Sequence, residues 1–518
     1  MMKVRLKIFF LIITIIVIAF NKINAQNDEN EKYLLPDGLS LSNQMKYSYD
    51  LDKNLEIFED WFNLDYRKSI FTAGIRLDTY QPNDPNPSIN RGKKKISDLS
   101  FKYFKVEIGD KYEGGELTVG NYFALFGRGL VLKSYEDRNV RIDNNLLGVK
   151  IAGRYKNFIM TLLTGMPENA GQTRSDILHA FDIEFKGLKF IEAGVTIASN
   201  QPDIDGAART TLTSFRIEPK FWNFDLYAEY GIKQNDDIKE NVFKGVRKIA
   251  GKAIYTGLNF YYESFSFSGE YKIYDNFGFT TNDGTVSYNT PPAVRKDYAY
   301  SLINQHPSPL DQNNEQGFQV EANYDFDEDT YASVTYGITK TLDASSLYQQ
   351  ILNSKVDVRT QFKEFFVQLN RTWSDKFQTT AAFGYSEELS SNTKNVTPIF
   401  EARYSIDQLN SIRFIFEHQS VTDRSTSEQY YDQAVTLEYL RSPKLSISLV
   451  GEMQSREVTP GRIVRKTWKF VQLGYKLGEH TNLSLLFGSR QAGNICIGGV
   501  CRYEPEFNGV ELKMLTRF

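Results

Sequence analysis

The last nine residues, Val510-Glu511-Leu512-Lys513-Met514-Leu515-Thr516-Arg517-Phe518, decide how the rest of the chain is read. Val510, Leu512, Met514, Thr516 and Phe518 share one face of an extended chain, and Glu511, Lys513, Leu515 and Arg517 share the other. A period of two is the pattern of a β-strand with unlike faces. The same split recurs upstream. Phe224, Leu226, Ala228, Tyr230 and Ile232 alternate with Asp225, Tyr227, Glu229 and Gly231. Phe265, Phe267, Gly269, Tyr271 and Ile273 alternate with Ser266, Ser268, Glu270 and Lys272, and Phe318 to Phe326 repeats the pattern. From about Leu39 onward nearly every ten-residue segment alternates, and no long stretch holds a helical period.

Composition narrows the class. Of 518 residues 41% are hydrophobic, 24% charged and 14% aromatic, with 31 Tyr and 37 Phe against 4 Trp. A mean hydropathy of −0.42, with no long apolar run beyond the N-terminus, excludes a bundle of membrane helices. The aromatic content excludes intrinsic disorder. Two cysteines exclude a disulfide scaffold or a multi-cysteine zinc protein.

A water-soluble sandwich also alternates, so the connections and the chain end discriminate. A strand finishing on an aromatic at the last residue resembles the assembly signal of bacterial outer-membrane barrels, which makes Phe518 that signal. If this strand descends to the periplasm, every second connection must be a short turn and the others are free to be long. Tight links fall near Gly478-Glu479, Ser442-Pro443, Asp407-Gln408, Ser374-Asp375, Asp327-Glu328, Glu263, Trp222, Gly187, Lys156-Asn157, 110–115 and Arg67-Lys68. The other connections are expected to run from about 7 residues to 40, the final hairpin apart. The phase requires 116–134 to form one long strand, kinked at Gly127 and Gly129. Counting then gives an all-β, transmembrane, antiparallel outer-membrane β-barrel of about 24 strands (22–26), with both termini periplasmic.

Residues 1–25 read as a cleavable signal peptide. Lys3, Arg5 and Lys7 precede a 13-residue apolar run, Ile8 to Phe20, and Ala25 offers the small residue for cleavage. That run spans about 20 Å as a helix, short of a bilayer core of about 30 Å. Removing it takes away Lys3, Arg5, Lys7 and Lys22 and no acid, so the formal charge of −3 becomes four units more negative. No basic stripe suggests a nucleic-acid partner. A short periplasmic segment, 26–38, then leads into a single barrel, 39–518.

The register places a mixed-sign set of side chains in the lumen: Arg216, Glu218, Asp225, Glu229, Glu270, Lys272, Glu321, Asp325, Arg413, Glu417, Glu452, Lys476, Arg490, Lys513 and Arg517. Such a face either lines a wet conduit or pairs across strands to stiffen the wall. Barrels of about 22 strands carry plugged lumens, so one of about 24 must be closed by something. Too few residues precede the first strand to make a plug, so closure falls to inward-folded loops or to a separate lumen-closing partner. The longest loop, 276–315, carries Pro291, Pro292, Tyr298, His306 and Pro307, and its prolines stiffen it. It is expected to constrict the pore. Tyr135, Glu136, Asp137, Arg138, Arg141 and Asp143, with Asn144, form a charge cluster expected to fix a loop or grip a ligand.

In Cys496-Ile497-Gly498-Gly499-Val500-Cys501 a two-residue Gly-Gly turn sets Cys496 opposite Cys501, at a Cα separation of about 4.5 Å that a disulfide tolerates. Alternation puts both sulfurs on the inner face. Catalysis finds little support, and the chain is expected not to be an enzyme. It has only His179, His306, His418 and His480, of which His418 with Ser420 is the least poor candidate. No metal site or cofactor is expected.

Phe126-Gly127-Arg128-Gly129-Leu130 through Tyr135-Glu136-Asp137-Arg138 to Asp143-Asn144, the loop from Pro291-Pro292 to His306-Pro307, and residues 496–502 together resemble an uncharacterised outer-membrane β-barrel family of the Bacteroidota, a domain of unknown function. The resemblance implies a Gram-negative outer membrane, a single multi-pass barrel inserted by the barrel-assembly machinery, and no assigned substrate. The expected function is a porin-like conduit for hydrophilic solutes with a loop-gated lumen. The alternative is a non-conducting structural or docking barrel for a surface lipoprotein or secretion apparatus.

Overall fold

The computed structural model describes residues 36–80, 97–110, 112–140, 142–171, 173–203, 209–235, 249–305, 309–353, 357–456, 466–497 and 500–518. The expected signal peptide and most of the short segment after it lie outside them, as do Arg141, His306 and Pro307. Twenty-four strands form one antiparallel sheet. In chain order they are β1 (Leu39–Asp50), β2 (Leu55–Lys68), β3 (Phe71–Tyr80), β4 (Ser97–Gly109), β5 (Gly114–Tyr122), β6 (Leu146–Tyr155), β7 (Phe158–Pro167) and β8 (Asp176–Leu188). Next come β9 (Ile191–Pro202), β10 (Thr210–Phe221), β11 (Phe224–Asn235), β12 (Ile249–Tyr262), β13 (Phe265–Asp275), β14 (Asn314–Asp327), β15 (Thr330–Lys340) and β16 (Thr360–Ser374). The last are β17 (Phe377–Glu388), β18 (Thr393–Ser405), β19 (Asn410–Asp423), β20 (Gln429–Arg441), β21 (Leu445–Gln454), β22 (Thr467–Leu477), β23 (Thr481–Arg490) and β24 (Phe507–Arg517). Closure is made by β24, which pairs with both β23 and β1. The ring therefore leaves no strand edge unpaired, which a hydrocarbon environment demands.

A turn of two to four residues between consecutive strands lies at or beside every tight link expected from the sequence; those expected at Arg67-Lys68 and Gly187 fall slightly later, at 69–70 and 189–190. Several bend through a residue of positive φ, including Ser69, Lys156, Trp222 and Glu263, the conformation that short hairpin turns require. The opposite rim carries the long connections, but three of them are shorter than expected: 51–54, 389–392 and 424–428 hold only four or five residues.

One expectation fails. Residues 116–134 are not a single kinked strand, because β5 stops at Tyr122 and the chain turns into the lumen. Its next pairings are internal, Ala124–Leu125 with Lys133–Ser134 and Glu136–Asp137 with Ile142–Asp143. Gly127 and Gly129, at φ 53° and 81°, reverse the chain between them in a region closed to most side chains. The alternation of 124–132 serves an apolar contact inside the barrel rather than a lipid face.

The outward face is apolar. Phe215, Ile217, Tyr230, Tyr271, Phe318, Phe365, Phe400, Leu437, Val471 and Phe487 are all exposed there. At the turn rim Phe221, Trp222, Phe224 and Phe260 stack in a chain with ring centroids 4.6 to 6.3 Å apart. An apolar band with an aromatic girdle is what a bilayer selects.

Inside, burial is graded along the strands. On β8, Asp176, Leu178, Ala180 and Asp182 are buried, Glu184 is half-buried and Lys186 is exposed. On β18, Thr393, Asn395, Thr397 and Ile399 are buried, whereas Glu401 is half-buried and Arg403 exposed. The order runs from the loop rim to the turn rim in each case. Along these strands the loop half of the lumen is filled, and the turn half is an open cup.

The final hairpin, Gly493–Ile497 with Val500–Glu504, stands outside the main sheet and sets Cys496 opposite Cys501 in its backbone register. The sulfurs, and hence the expected bond and its inward direction, lie outside the described residues.

Candidate functional site

Two connections fill the loop half, and each is held by side chains that the strands present inward. The first, 123–145, buries Leu130, Val131 and Leu132 completely. They pack on small or apolar inward residues of the wall, Leu146, Leu163, Leu178, Ala180, Ala198 and Leu212, and on Phe277, Phe279 and Tyr288 of the second connection. This is a hydrophobic core enclosed by the barrel. Its formation withdraws apolar surface from water as in a soluble domain, at about 25 cal/mol per Å².

The second connection, 276–313, is the long loop. It interlocks with the first through backbone groups: Lys133 N donates to Tyr288 O at 2.8 Å and Thr290 N to Gly129 O at 3.2 Å. Asn289 Nδ2 donates to Leu130 O and Phe277 O, both at 3.0 Å, and Asn144 Nδ2 donates to Ser287 O at 2.9 Å. Gly129 has no room for a side chain, since a Cβ there would lie 2.9 Å from Thr290 O.

From that interlock the long loop crosses toward the far wall. Tyr274 OH donates to Pro292 O at 2.8 Å, and Lys272 binds both Ala293 O and Glu315. Val294 then sits at φ 53°, a strained conformation for a β-branched residue. Beyond it Tyr298 OH donates to Glu364 Oε2 at 3.1 Å and Tyr300 OH to Glu401 Oε2 at 3.4 Å. A single helical turn, α1 (Ser301–Asn304), ends the crossing on Glu417 of β19. Ser301 N, Ser301 Oγ and Leu302 N donate to that carboxylate at 3.0, 2.9 and 2.8 Å. Gln419 Nε2 donates to Leu302 O at 3.1 Å.

The charge cluster of the first connection meets the wall at a residue the sequence reading missed. Arg76 of β3 binds Asp78 and Glu136, each at 2.7 Å, and lies 3.8 Å from Asp143. Arg138 pairs with Glu136 and lies 3.7 Å from the centre of the Trp61 ring, within cation–π range. Asp137 accepts from Asn139 N at 2.9 Å, and Tyr135 lies under Lys133. Burial lifts the Glu136 carboxyl to about 7; Arg76 pulls it down, while Asp143 and Asp78 push it further up. The signal that could have found it is the alternation of β3, which sets Arg76 on the same face as the buried Thr72 and Gly74, but no sequence signal identifies its distant partner.

The expected lumen charges divide by depth. Arg216, fully buried, grips Asp182 with two hydrogen bonds, at 2.8 and 2.9 Å, and Glu184 at 2.7 Å. Glu229 accepts from Ser214 Oγ at 2.6 Å and Tyr227 OH at 2.5 Å; Glu270 accepts from Tyr255. Lys296 of the long loop binds Glu321 at 2.7 Å, Arg413 forks onto Glu401 at 2.7 and 2.9 Å, and Lys513 meets Glu511 at 2.9 Å. Asp225, Asp325 and Arg517 are exposed toward the turn rim, and Glu218 is half-buried.

The sector from β23 through β24 and β1 to β6 is less filled. A cavity of about 470 Å³ is lined by Arg76, Lys102, Lys105, Glu116, Lys150 and Arg174 among others. A second, of about 390 Å³, is lined by Lys46, Glu59, Trp61, Arg138, Glu511 and Lys513 among others. Their charges are interleaved in sign, with Lys105 and Lys150 both beside Glu116 at 3.8 and 3.0 Å. His418 and Ser420, 3.3 Å apart, face outward on β19, and His418 Nδ1 is 3.0 Å from the Gln433 amide. No cluster of metal-ligating side chains occurs among the described residues.

The model of a family of unknown function, DUF6029, matches residues 1–518. The sequence matches no curated protein. Among solved structures the fold is similar to the translocation pore of the P pilus usher PapC, at 9% identity over 92% of this chain and 99% of that one, with a TM-score of 0.43. The siderophore receptor PirA of Pseudomonas aeruginosa is similar at 11% identity over 93% and 80%, with a TM-score of 0.43. The copper transporter OprC is similar at 9% identity over 93% and 80%, also with a TM-score of 0.43.

Proposed function

We infer, for a chain that belongs to this family of unknown function, an outer-membrane barrel that passes small hydrophilic solutes beside an inward-folded plug made from its own loops. The observation that carries the reading is the unequal filling of the lumen. Residues 276–304 cross from β13 to β19 and are bonded there, while the sector around β3 to β6 keeps polar clefts. In this reading the termini and the short turns face the periplasm, the apolar wall contacts outer-membrane lipid, and the barrel-assembly machinery inserts the chain through its last strand. Phe518 there exchanges backbone hydrogen bonds with Leu41. Interleaved positive and negative groups suit polar solutes of either sign and no strong ion selectivity. The role is transport rather than catalysis.

The filled loop half favours one rival, a non-conducting barrel on which a surface lipoprotein or secretion apparatus docks. Planar-bilayer recording separates the two. The full chain is expected to give small, steady single-channel currents, and removal of Gly284 to Asn304 is expected to raise conductance several-fold. A silent wild-type barrel, or a deletion with unchanged conductance, would sink the plugged-conduit reading.

A further inference from the structure

On the outward face of the loop rim, three cations surround a single carboxylate, Glu387, and a fourth, Lys340, stands one strand beyond Lys363 and nearer the rim. Lys340 ends β15, Lys363 lies three residues into β16, Glu387 is next to last in β17, and Lys394 is second in β18. Each points away from the lumen, because its flanking neighbours in the alternation, such as Phe362 and Glu364 or Thr393 and Asn395, are buried inside. Lys363 and Glu387 are directly paired across β16 and β17, and Glu387 and Lys394 across β17 and β18. Arg424, just after β19, reaches back over β18 to Glu387 at 3.3 Å.

The arrangement is held in place. Arg424 N donates to Asn392 O at 2.8 Å, Asn392 Nδ2 to Ser425 Oγ at 2.8 Å, and Tyr385 OH to Glu387. Lys363 Nζ lies 5.9 Å from the Tyr385 ring centre. The nearby acids are otherwise engaged: Asp423 and Glu428 pair with Arg456 at 3.2 Å each, and Glu388 is buried on the inner face. Glu387 alone cannot neutralise four cations. Two residues further along the strands the outward face becomes apolar at Phe365 and Val396, and Phe383 and Phe400 continue it four and six residues from the charged positions, all exposed. About 7 Å of strand separates the two zones.

We propose that Lys340, Lys363, Lys394 and Arg424 form a binding site for the phosphate headgroup of a lipid in the leaflet at the loop rim, its acyl chains lying on the Phe365, Phe383, Val396 and Phe400 wall. The proposal rests on the barrel spanning a membrane. Charge and apolar surface at this spacing complement an anionic amphiphile and not a soluble anion, which would leave the aromatic wall uncovered. Arginine supplies the planar fork that grips phosphate, and the lysines supply point charges.

The test is native mass spectrometry of the full-length barrel in mild detergent, titrated with a bis-phosphorylated lipid A, with the same lipid after dephosphorylation, and with inorganic phosphate. Wild type is expected to retain one bis-phosphorylated lipid. Lys363→Gln/Lys394→Gln/Arg424→Gln is expected to lose roughly a hundredfold in retention, and Lys469→Gln, exposed on the outward face of β22, to lose none. Should the triple variant fail to fold, Lys394→Gln alone is expected to weaken retention severalfold. Equal retention by wild type and variants, or equal retention of the dephosphorylated lipid, would overturn the site. Full displacement by millimolar inorganic phosphate would overturn the lipid assignment. Single-channel conductance of the variants is expected to match wild type, so failure of this site and failure of the conduit are separately visible.

Discussion

Glu136 shows how one side chain couples the plug to pH. It is bonded to Arg76 at 2.7 Å, yet burial holds its carboxyl at about 7, above the ordinary carboxylate range. A carboxyl raised on folding binds more protons in the docked state than in the undocked one. Its stabilisation is therefore complete below the unperturbed value of about 4.5 and is lost as pH rises through about 7. Docking of 123–145 should weaken by on the order of 2 kcal/mol between pH 4.5 and 8. Amide hydrogen exchange at 135–138, corrected for intrinsic rates, should show protection at least tenfold higher at pH 5 than at pH 8. Glu136→Gln should make that protection independent of pH, and a pH-dependent Glu136→Gln variant would refute the assignment.

At the scale of elements, α1 depends on Glu417, which satisfies two backbone donors and a hydroxyl that have been taken out of bulk water. Glu417→Ala removes the acceptor and leaves those donors without it, at a cost of about 2–4 kcal/mol to docking. Limited proteolysis in liposomes should then cleave at 298–304 at least tenfold faster than in wild type. Unchanged cleavage would mean that the far-wall anchor is not what holds the loop. The strands themselves were legible in the sequence because lipid and water impose opposite chemistry on successive residues, as at Phe224 and Asp225. The path of 123–134 was not legible. An apolar alternation has the same pattern whether its partner is a lipid tail or a loop from 150 residues away, and Leu130 and Leu132 meet Phe277 and Tyr288. Likewise Glu417 was readable as an inward charge, but its role as an anchor depends on where residue 301 arrives.

For the whole molecule, the lumen should divide into an accessible sector and a sealed one. Lys105 of β4 lines the larger cavity, while Thr380 of β17 faces inward but is buried. In a background with Cys496→Ser and Cys501→Ser, a charged methanethiosulfonate reagent should modify Lys105→Cys and reduce conductance. It should leave Thr380→Cys unmodified over the same period. Equal reactivity at the two positions would show that the filling is uniform and that no side passage exists.

Both ends of each inward connection belong to consecutive, hydrogen-bonded or adjoining strands: 123–145 leaves from β5 and returns at β6, and 276–313 leaves from β13 and returns at β14. Each is therefore a flap with its two roots side by side, about 5 Å apart, and not a cord stretched between opposite walls. The flap of 276–313 can swing out through the loop rim once its tip contacts on Glu364, Glu401 and Glu417, its bonds to Lys272 and Tyr274 and its packing against the wall core are released. Nothing has to be unthreaded and no wall strand has to part. The interlock of the two flaps through Gly129, Asn289 and Thr290 further requires them to leave together or to separate first.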